Sequence, residues 1–168
     1  MVAPNGYDDV TLAEGDVANS FEFMFDINTG TKAVPVWLNI PQLTGLNPQH
    51  TPKLRDITTY ADQGNTNQKK TGQDFTLDFN MLKVRDDTGE FQPEWLALKE
   101  AADADGEANN VEIRYYDSRG ASDAYQGTVS VARGSRPSTA NDEIGWDNFT
   151  FASVGRIAPI ANPLKVTP

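Results

Sequence analysis

Few residues in this chain could carry catalysis, and their types restrict the chemistry. There is one histidine, His50, and there is no cysteine among the 168 residues. Thiolate nucleophiles, disulfides and cysteine-ligated metal centres are therefore excluded. His50 lies between Pro48 and Pro52 in a polar stretch, and the sequence contains no G-x-S-x-G, Walker or G-x-G-x-x-G motif. We predict a protein that is not an enzyme, with no catalytic residue, cofactor or metal.

An acidic stretch after residue 100 partly matches a calcium-binding loop. Asp103, Asp105, Gly106 and Glu112 occupy positions of the pattern D-x-D-x-D-G-x5-E, in which carboxylates supply oxygen ligands to the ion. The first ligand position holds Ala101, and a strand rather than a second helix is expected after the loop. The partial match leaves open one functional alternative, a calcium-dependent carbohydrate-binding β-sandwich, which we rank as less favoured.

The charge balance restricts the partners. The chain has 14 Lys and Arg against 24 Asp and Glu, a net charge of −10. Surfaces that bind nucleic acid or anionic lipid gain affinity by neutralising phosphates with Lys and Arg. We therefore expect this chain to have neither a specific nucleic-acid-binding surface nor a membrane-binding surface. No run approaches the roughly 20 apolar residues of a membrane span. The first residues lack the basic start and apolar stretch of a signal peptide, which predicts synthesis in the cytoplasm.

The secondary structure predicted from the sequence consists mostly of strands. Four segments alternate apolar and polar residues with the period of two that is typical of half-buried strands. Two further runs have strand composition with looser alternation. The four segments are residues 21–27, 74–82, 125–131 and 147–153, and the two further runs are residues 34–40 and 111–116.

One helix is predicted over about residues 93–105. Pro93 suits a first helical turn, where its missing N–H would be unpaired anyway. Trp95, Leu98 and Ala102 recur at three- and four-residue spacing and form a narrow apolar stripe. Gly106 is the expected end. A stripe this narrow favours packing against a sheet.

Long unpatterned segments connect and flank these elements. Residues 45–73 show scarcely any apolar pattern and far exceed the usual connection of about 4–6 residues, so we predict a long loop there. Residues 1–20 and 158–168 are predicted to be extended N- and C-terminal arms of one domain spanning 21–157. The fold class expected is mainly β (α+β): an antiparallel β-sandwich or barrel with one flanking α-helix, a long loop and extended terminal arms.

The succession of short motifs resembles the major tail (tail tube) proteins of long-tailed, siphovirus-type bacteriophages, especially those that infect actinobacteria. No single motif is specific, but their order covers most of the chain. The motifs are residues 37–45, DITTYADQG at 56–64, Thr71-Gly72 leading into FTLDF, TGE at 88–90, VEIRYYD at 111–117, YQGTVSV at 125–131, and FTFASVGRI with IANP near the end.

The resemblance implies a structural virion protein of the phage tail, made and assembled in the host cytoplasm. Copies would associate into six-fold rings that stack into a hollow tube for ejection of double-stranded DNA. The expected partners are the chain itself and the tape measure, tail tip and tail terminator proteins. The long loop would order against the neighbouring ring, and its candidate stacking residues are Asp56, Tyr60, Asp62, Gly64, Asn65, Asn67, Lys69 and Lys70. A tail terminator or a head–tail joining ring of the same particle is the second alternative.

The acidic charge fits such a conduit, because an acidic wall repels phosphates and does not trap the genome. The candidate residues for the lumen come from the expected solvent faces of the strands. They are Thr76, Asp78, Asn80, Glu112, Thr128, Ser130 and Asp147.

Overall fold

Eight strands and one α-helix make up the part of the chain, residues 15–165, that this computed structural model describes. The helix is α1 (Pro93–Asp103), and short 3-10 turns span Tyr60–Asp62 and Gly106–Asn109. The strands are β1 (Phe23–Asn28), β2 (Trp37–Asn39), β3 (Leu43–Asp56), β4 (Gln68–Leu82), β5 (Asn110–Asp117), β6 (Ala124–Arg133), β7 (Trp146–Ser153) and β8 (Ala158–Pro159).

The strands form one antiparallel sheet that curls around the core. Its order is β2-β1-β5-β6-β7-β4-β3, with β8 paired to β6. The two edge strands, β2 and β3, are joined only by residues 40–42, a reach of roughly 14 Å at most. Phe25 of β1 and Phe79 of β4 are separated by three strands in the sheet, yet their ring centroids are 5.3 Å apart. The predicted fold class, an antiparallel β-sandwich or barrel with a flanking helix, is confirmed.

The core follows the predicted alternation. In β4, Phe75, Leu77, Phe79 and Met81 are buried, while the intervening Asp78 is exposed. The same period of two recurs in the other central strands. Seven of the 17 buried residues of the core cluster are aromatic, and burial of each such ring contributes roughly 1.5–3 kcal/mol.

The helix α1 closes one end of the curled sheet. Trp95, Leu98 and Ala101 are buried in the core, and the predicted stripe residue Ala102 is half-buried. The helix ends at Asp103, two residues before the predicted last residue, 105. Gly106 instead begins the 3-10 turn that leads into β5, with the positive φ of 64° that glycine tolerates.

The segment predicted as a long loop, residues 45–73, belongs to a β-hairpin, and that prediction was wrong. The strands β3 and β4 pair from Leu43 opposite Met81 to Asp56 opposite Gln68. Nearly all side chains from Gln49 to Thr71 are exposed on both faces of the hairpin. A strand with no buried face needs no alternation of apolar residues, so the periodicity gave no signal. Because β3 is an edge strand, its prolines are tolerated.

The C-terminal arm, predicted as extended over 158–168, packs on its own chain through residue 165. Strand β8 pairs with β6, and the buried Asn162 donates from Nδ2 to the carbonyls of Asp117 and Ala121 at 2.8 and 2.7 Å. Of the predicted N-terminal arm, residues 1–14 lie outside the described residues, and Asp16 forms an exposed ion pair with Arg119. No helix within residues 15–165 is long and apolar enough to cross a bilayer.

Candidate assembly surfaces

The curled sheet has two chemically different ends. The strand register places the β5–β6 turn and the projecting half of the β3–β4 hairpin at one end, called here the hairpin end. The opposite end, called the helix end, carries α1 and the loop 134–145 between β6 and β7. Pairing of β4 with β7 stops at Thr76. Residues 68–75 therefore extend beyond the last β4–β7 pair by roughly 26 Å at about 3.3 Å per residue.

The hairpin tip, residues 56–67, is held by its own hydrogen bonds. Asp56 Oδ1 accepts from the Thr58 backbone N–H at 2.8 Å, and Asp62 Oδ2 accepts from the Thr59 backbone N–H at 2.6 Å. The Thr58 hydroxyl and N–H lower the pKa of Asp56, and the Thr59 N–H and hydroxyl lower the pKa of Asp62. The tip is therefore preformed and carries two ionised carboxylates.

The same tip exposes apolar side chains. Tyr60, the first residue of the 3-10 turn, has a relative exposure of 105%, Ile57 is also exposed, and so is Leu54 of β3, just before the tip. A tyrosine on a preformed turn offers a large contact area at little cost in entropy. Such a group is typical of a surface that another molecule covers.

The structure brings all the predicted stacking residues together at the far half of the hairpin. Asp56 ends β3, and Gly64, with φ of 87°, follows the 3-10 turn. The side chain of Asn67 bridges the turn by donating from Nδ2 to Asp62 Oδ1 at 3.2 Å. The remaining members are Tyr60, Asn65, Lys69 and Lys70. Their role between rings stays a prediction.

A hydrogen-bonded chain anchors the root of the hairpin to the body. Lys70 Nζ donates to Gln73 Oε1 at 3.0 Å, and Gln73 Nε2 donates to His50 Nδ1 at 2.9 Å. His50 Nε2 then donates to Tyr115 Oη at 2.7 Å, which requires neutral imidazole with the proton on Nε2. Desolvation and the neighbouring Lys70 lower the pKa of His50, and burial raises the pKa of Tyr115.

Six of the seven predicted lumen residues share the outer face of the sheet. On β4, Asp78 Oδ1 accepts from Asn148 Nδ2 at 2.9 Å and from Thr150 Oγ1 at 3.1 Å. On β5, the Glu112 carboxylate accepts from the side chains of Asn28 and Gln126, both at 2.9 Å. This surface, called the polar face, also includes Thr76, Asn80, Thr128 and Ser130.

Asp147 was predicted on that solvent face, and the prediction was wrong. Its relative exposure is 1%. Its Oδ2 accepts from Trp95 Nε1 and from Arg133 Nη2, both at 2.9 Å, and lies 3.6 Å from Lys83 Nζ. Asp147 shares the parity of the buried Phe149 in β7, so a strict period of two places it inside. That parity was the signal available in the sequence.

Sequence reasoning also missed a basic cluster at the helix end. Lys83, Arg133 and Arg136 gather around the buried Asp147, with Arg136 Nε 3.6 Å from Asp147 Oδ1, and Arg85 lies with Lys83 and Arg136 at the neighbouring cavity. Scattered along the sequence, these cations show no pattern. Beside them lies an open cavity of about 400 Å³, lined by Lys83, Arg85, Phe91, Arg136, Glu143 and Trp146.

The calcium-like pattern is not assembled into a site. The Asp103 carboxylate pairs with Lys99, while Glu112 bonds to Asn28 and Gln126 on the polar face. Within residues 15–165 there is no group of three Asp, Glu or His side chains that could hold a metal ion. Nothing in this geometry favours the carbohydrate-binding alternative.

The fold is shared with chains in solved structures of gene transfer agent particles. No family model matches the chain, and no curated protein sequence matches it. One similar structure is a chain of the tail of an empty gene transfer agent (GTA) particle, obtained by helical refinement with C6 symmetry, with a TM-score of 0.65 and 12% identity. Another is a chain of the virion of a native GTA particle, with a TM-score of 0.61 and 13% identity. Each match covers 86% of this chain and 100% of the other.

Proposed function

We propose that this protein is a structural protein of a phage-like tail, namely the major tail tube subunit. The observation that carries the proposal is the match over the full length of a chain from a C6-symmetric helical tail, combined with a preformed hairpin that projects from one end of the body. In the proposed assembly, six copies form a ring and rings stack into a hollow tube. A head-to-tail contact that closes gives a ring, and one that does not close gives a filament.

The hairpin is the proposed stacking element. Its far half adds nothing to the core, since Phe75 is the first buried residue of β4, and a long exposed edge strand is costly unless another chain covers it. The polar face is the proposed lumen wall, along which double-stranded DNA passes without specific binding. The tape measure, tail tip and tail terminator proteins are the proposed further partners, in the virion of a long-tailed phage.

Electron microscopy of the concentrated protein tests the proposal. We expect tubes of variable length from the wild-type chain. The matched variant replaces residues 54–70 with Asn-Gly, which suits a two-residue hairpin turn. Because all the removed residues except the half-buried Asp62 are exposed, we expect its free energy of unfolding to change by less than about 1 kcal/mol, while tubes no longer form. A single discrete ring from the wild-type chain would indicate the tail terminator or head–tail joining ring instead.

A further inference from the structure

We propose that the hairpin tip of one copy docks into the helix-end cavity of the copy stacked against it. This inference rests on the proposed tail tube function and names the receiving surface for the stacking element. The cavity is the one of about 400 Å³ beside Lys83, Arg85 and Arg136. The occupant is a second copy of this chain, through residues 56–67.

The positions of the two surfaces at opposite ends of the strands support this pairing. In β4, the residue order from Leu82 to Gln68 runs from the helix end to the hairpin end. A copy translated along the strands therefore presents its helix end to the hairpin tip of the copy before it. The two surfaces lie at opposite ends of one chain, so the contact repeats without closing and produces a filament.

The charges of the two surfaces are complementary. The hairpin tip carries the ionised Asp56 and Asp62. The cavity is lined by three cations, Lys83, Arg85 and Arg136, and by one carboxylate, Glu143. Lys83 and Arg136 each also lie 3.6 Å from the buried Asp147, so the group keeps an excess of positive charge. On a chain with a net charge of −10, a local cluster of cations is a specific place for acidic groups of a like copy to bind.

The aromatic groups are complementary as well. Tyr60 is fully exposed on the preformed tip. In the cavity, Lys83 Nζ and Arg85 Cζ lie 4.5 and 4.4 Å from the ring centroid of Phe91. Cations held over an aromatic ring favour a further aromatic partner through stacking and cation–π contacts. Seating Tyr60 there covers the most exposed aromatic side chain of the hairpin.

Disulfide cross-linking tests the contact directly, because the chain has no native cysteine. The test variant carries Ala61→Cys, next to Tyr60 on the tip, with Ala140→Cys, beside the cavity. The control carries Ala61→Cys with Ala121→Cys, another exposed alanine, at the hairpin end. After oxidation of assembled tubes, we expect a ladder of covalent multimers from the first variant and monomers from the control.

Charge reversal gives a second measurement. We expect Arg136→Glu to reduce the number of tubes at least tenfold, and Arg156→Glu, the same change at an exposed site of the hairpin end, to leave it within twofold. If tubes form but the Ala140 pair does not cross-link, or both reversals act equally, the docking is overturned and the tube function stands. If the wild-type chain forms no tubes at any concentration, the proposed function itself fails, and the docking fails with it.

Discussion

At the scale of single residues, Asp147 shows how a buried charge organises one end of the fold. From the start of β7, the carboxylate contacts Trp95 of α1, Arg133 of β6 and Lys83, the residue after β4. Burying an isolated carboxylate is costly, and two close cations with an indole N–H compensate for it. Removing the charge leaves those partly buried cations unpaired, which costs more than the loss of one hydrogen bond.

We therefore expect Asp147→Asn to lower the free energy of unfolding by about 3 kcal/mol. The matched control is Asp78→Asn on the exposed polar face, for which we expect a change within about 0.5 kcal/mol. Urea unfolding followed by tryptophan fluorescence measures both. Equal losses in the two variants would show that burial of Asp147 contributes nothing special.

His50 makes the hairpin root sensitive to pH. Its pKa is lowered in the folded chain by desolvation and by Lys70, so the unfolded chain binds the proton more tightly. The stability contributed by neutral His50 is complete above its unfolded pKa of about 6.5 and decreases as the pH falls below it. Protonation also turns Nδ1 into a donor that faces the Gln73 amide donor.

We expect wild-type protein to lose more stability between pH 7 and 5 than the His50→Gln variant, which cannot be protonated. Carboxylates with lowered pKa, such as Asp56 and Asp62, act in a separate window, below their unfolded values near 4. Unfolding midpoints at half-unit pH steps give the comparison. A stability difference between the two proteins that stays constant with pH would contradict the role of His50.

At the scale of elements, the sequence revealed the strands that have one buried face and concealed those that have none. The alternation around Phe75 and Phe79 predicted β4, because each apolar residue points into the core. The hairpin around Leu54 and Lys69 is solvated on both faces, so only pairing with its neighbour defines it as strand. Strand β8 has two residues, too few for any period.

Gly127 of β6 allows the C-terminal segment around Ile157 to pack closely against the sheet. A Cβ at Gly127 would meet Ile157 Cδ1 at 2.4 Å and the Arg156 carbonyl oxygen at 3.0 Å. Ile157 is buried, so Gly127→Ala must push the segment outward.

We expect Gly127→Ala to lower the free energy of unfolding by about 1–3 kcal/mol and to speed tryptic cleavage at Arg156. Gly72→Ala is the matched control, because a Cβ there meets nothing within 4 Å. Similar cleavage rates in both variants would show that the close approach of Ile157 is not needed for docking.

At the scale of the whole molecule, the symmetry of the proposed tube repeats each surface charge in every copy around the ring. A carboxylate on the polar face, such as Asp78, would then form an acidic band around the lumen in each ring. The helix α1 packs on the core side of the sheet through Trp95 and Leu98, so its exposed Glu100 lies away from that face. Substitutions at Asp78 and Glu100 therefore distinguish an effect of charge in the lumen from an effect of net charge alone.

We expect Asp78→Lys tubes to retain double-stranded DNA at about 50 mM salt and to release it near 200 mM, because phosphate contacts weaken steeply as salt rises. Glu100→Lys changes the net charge equally and is the control. Nuclease digestion distinguishes the sites, since DNA held in the lumen is shielded and DNA bound outside is cut. Protected DNA from Asp78→Lys alone supports the polar face as the lumen wall, whereas protection by neither variant, or by Glu100→Lys alone, places that face elsewhere in the tube.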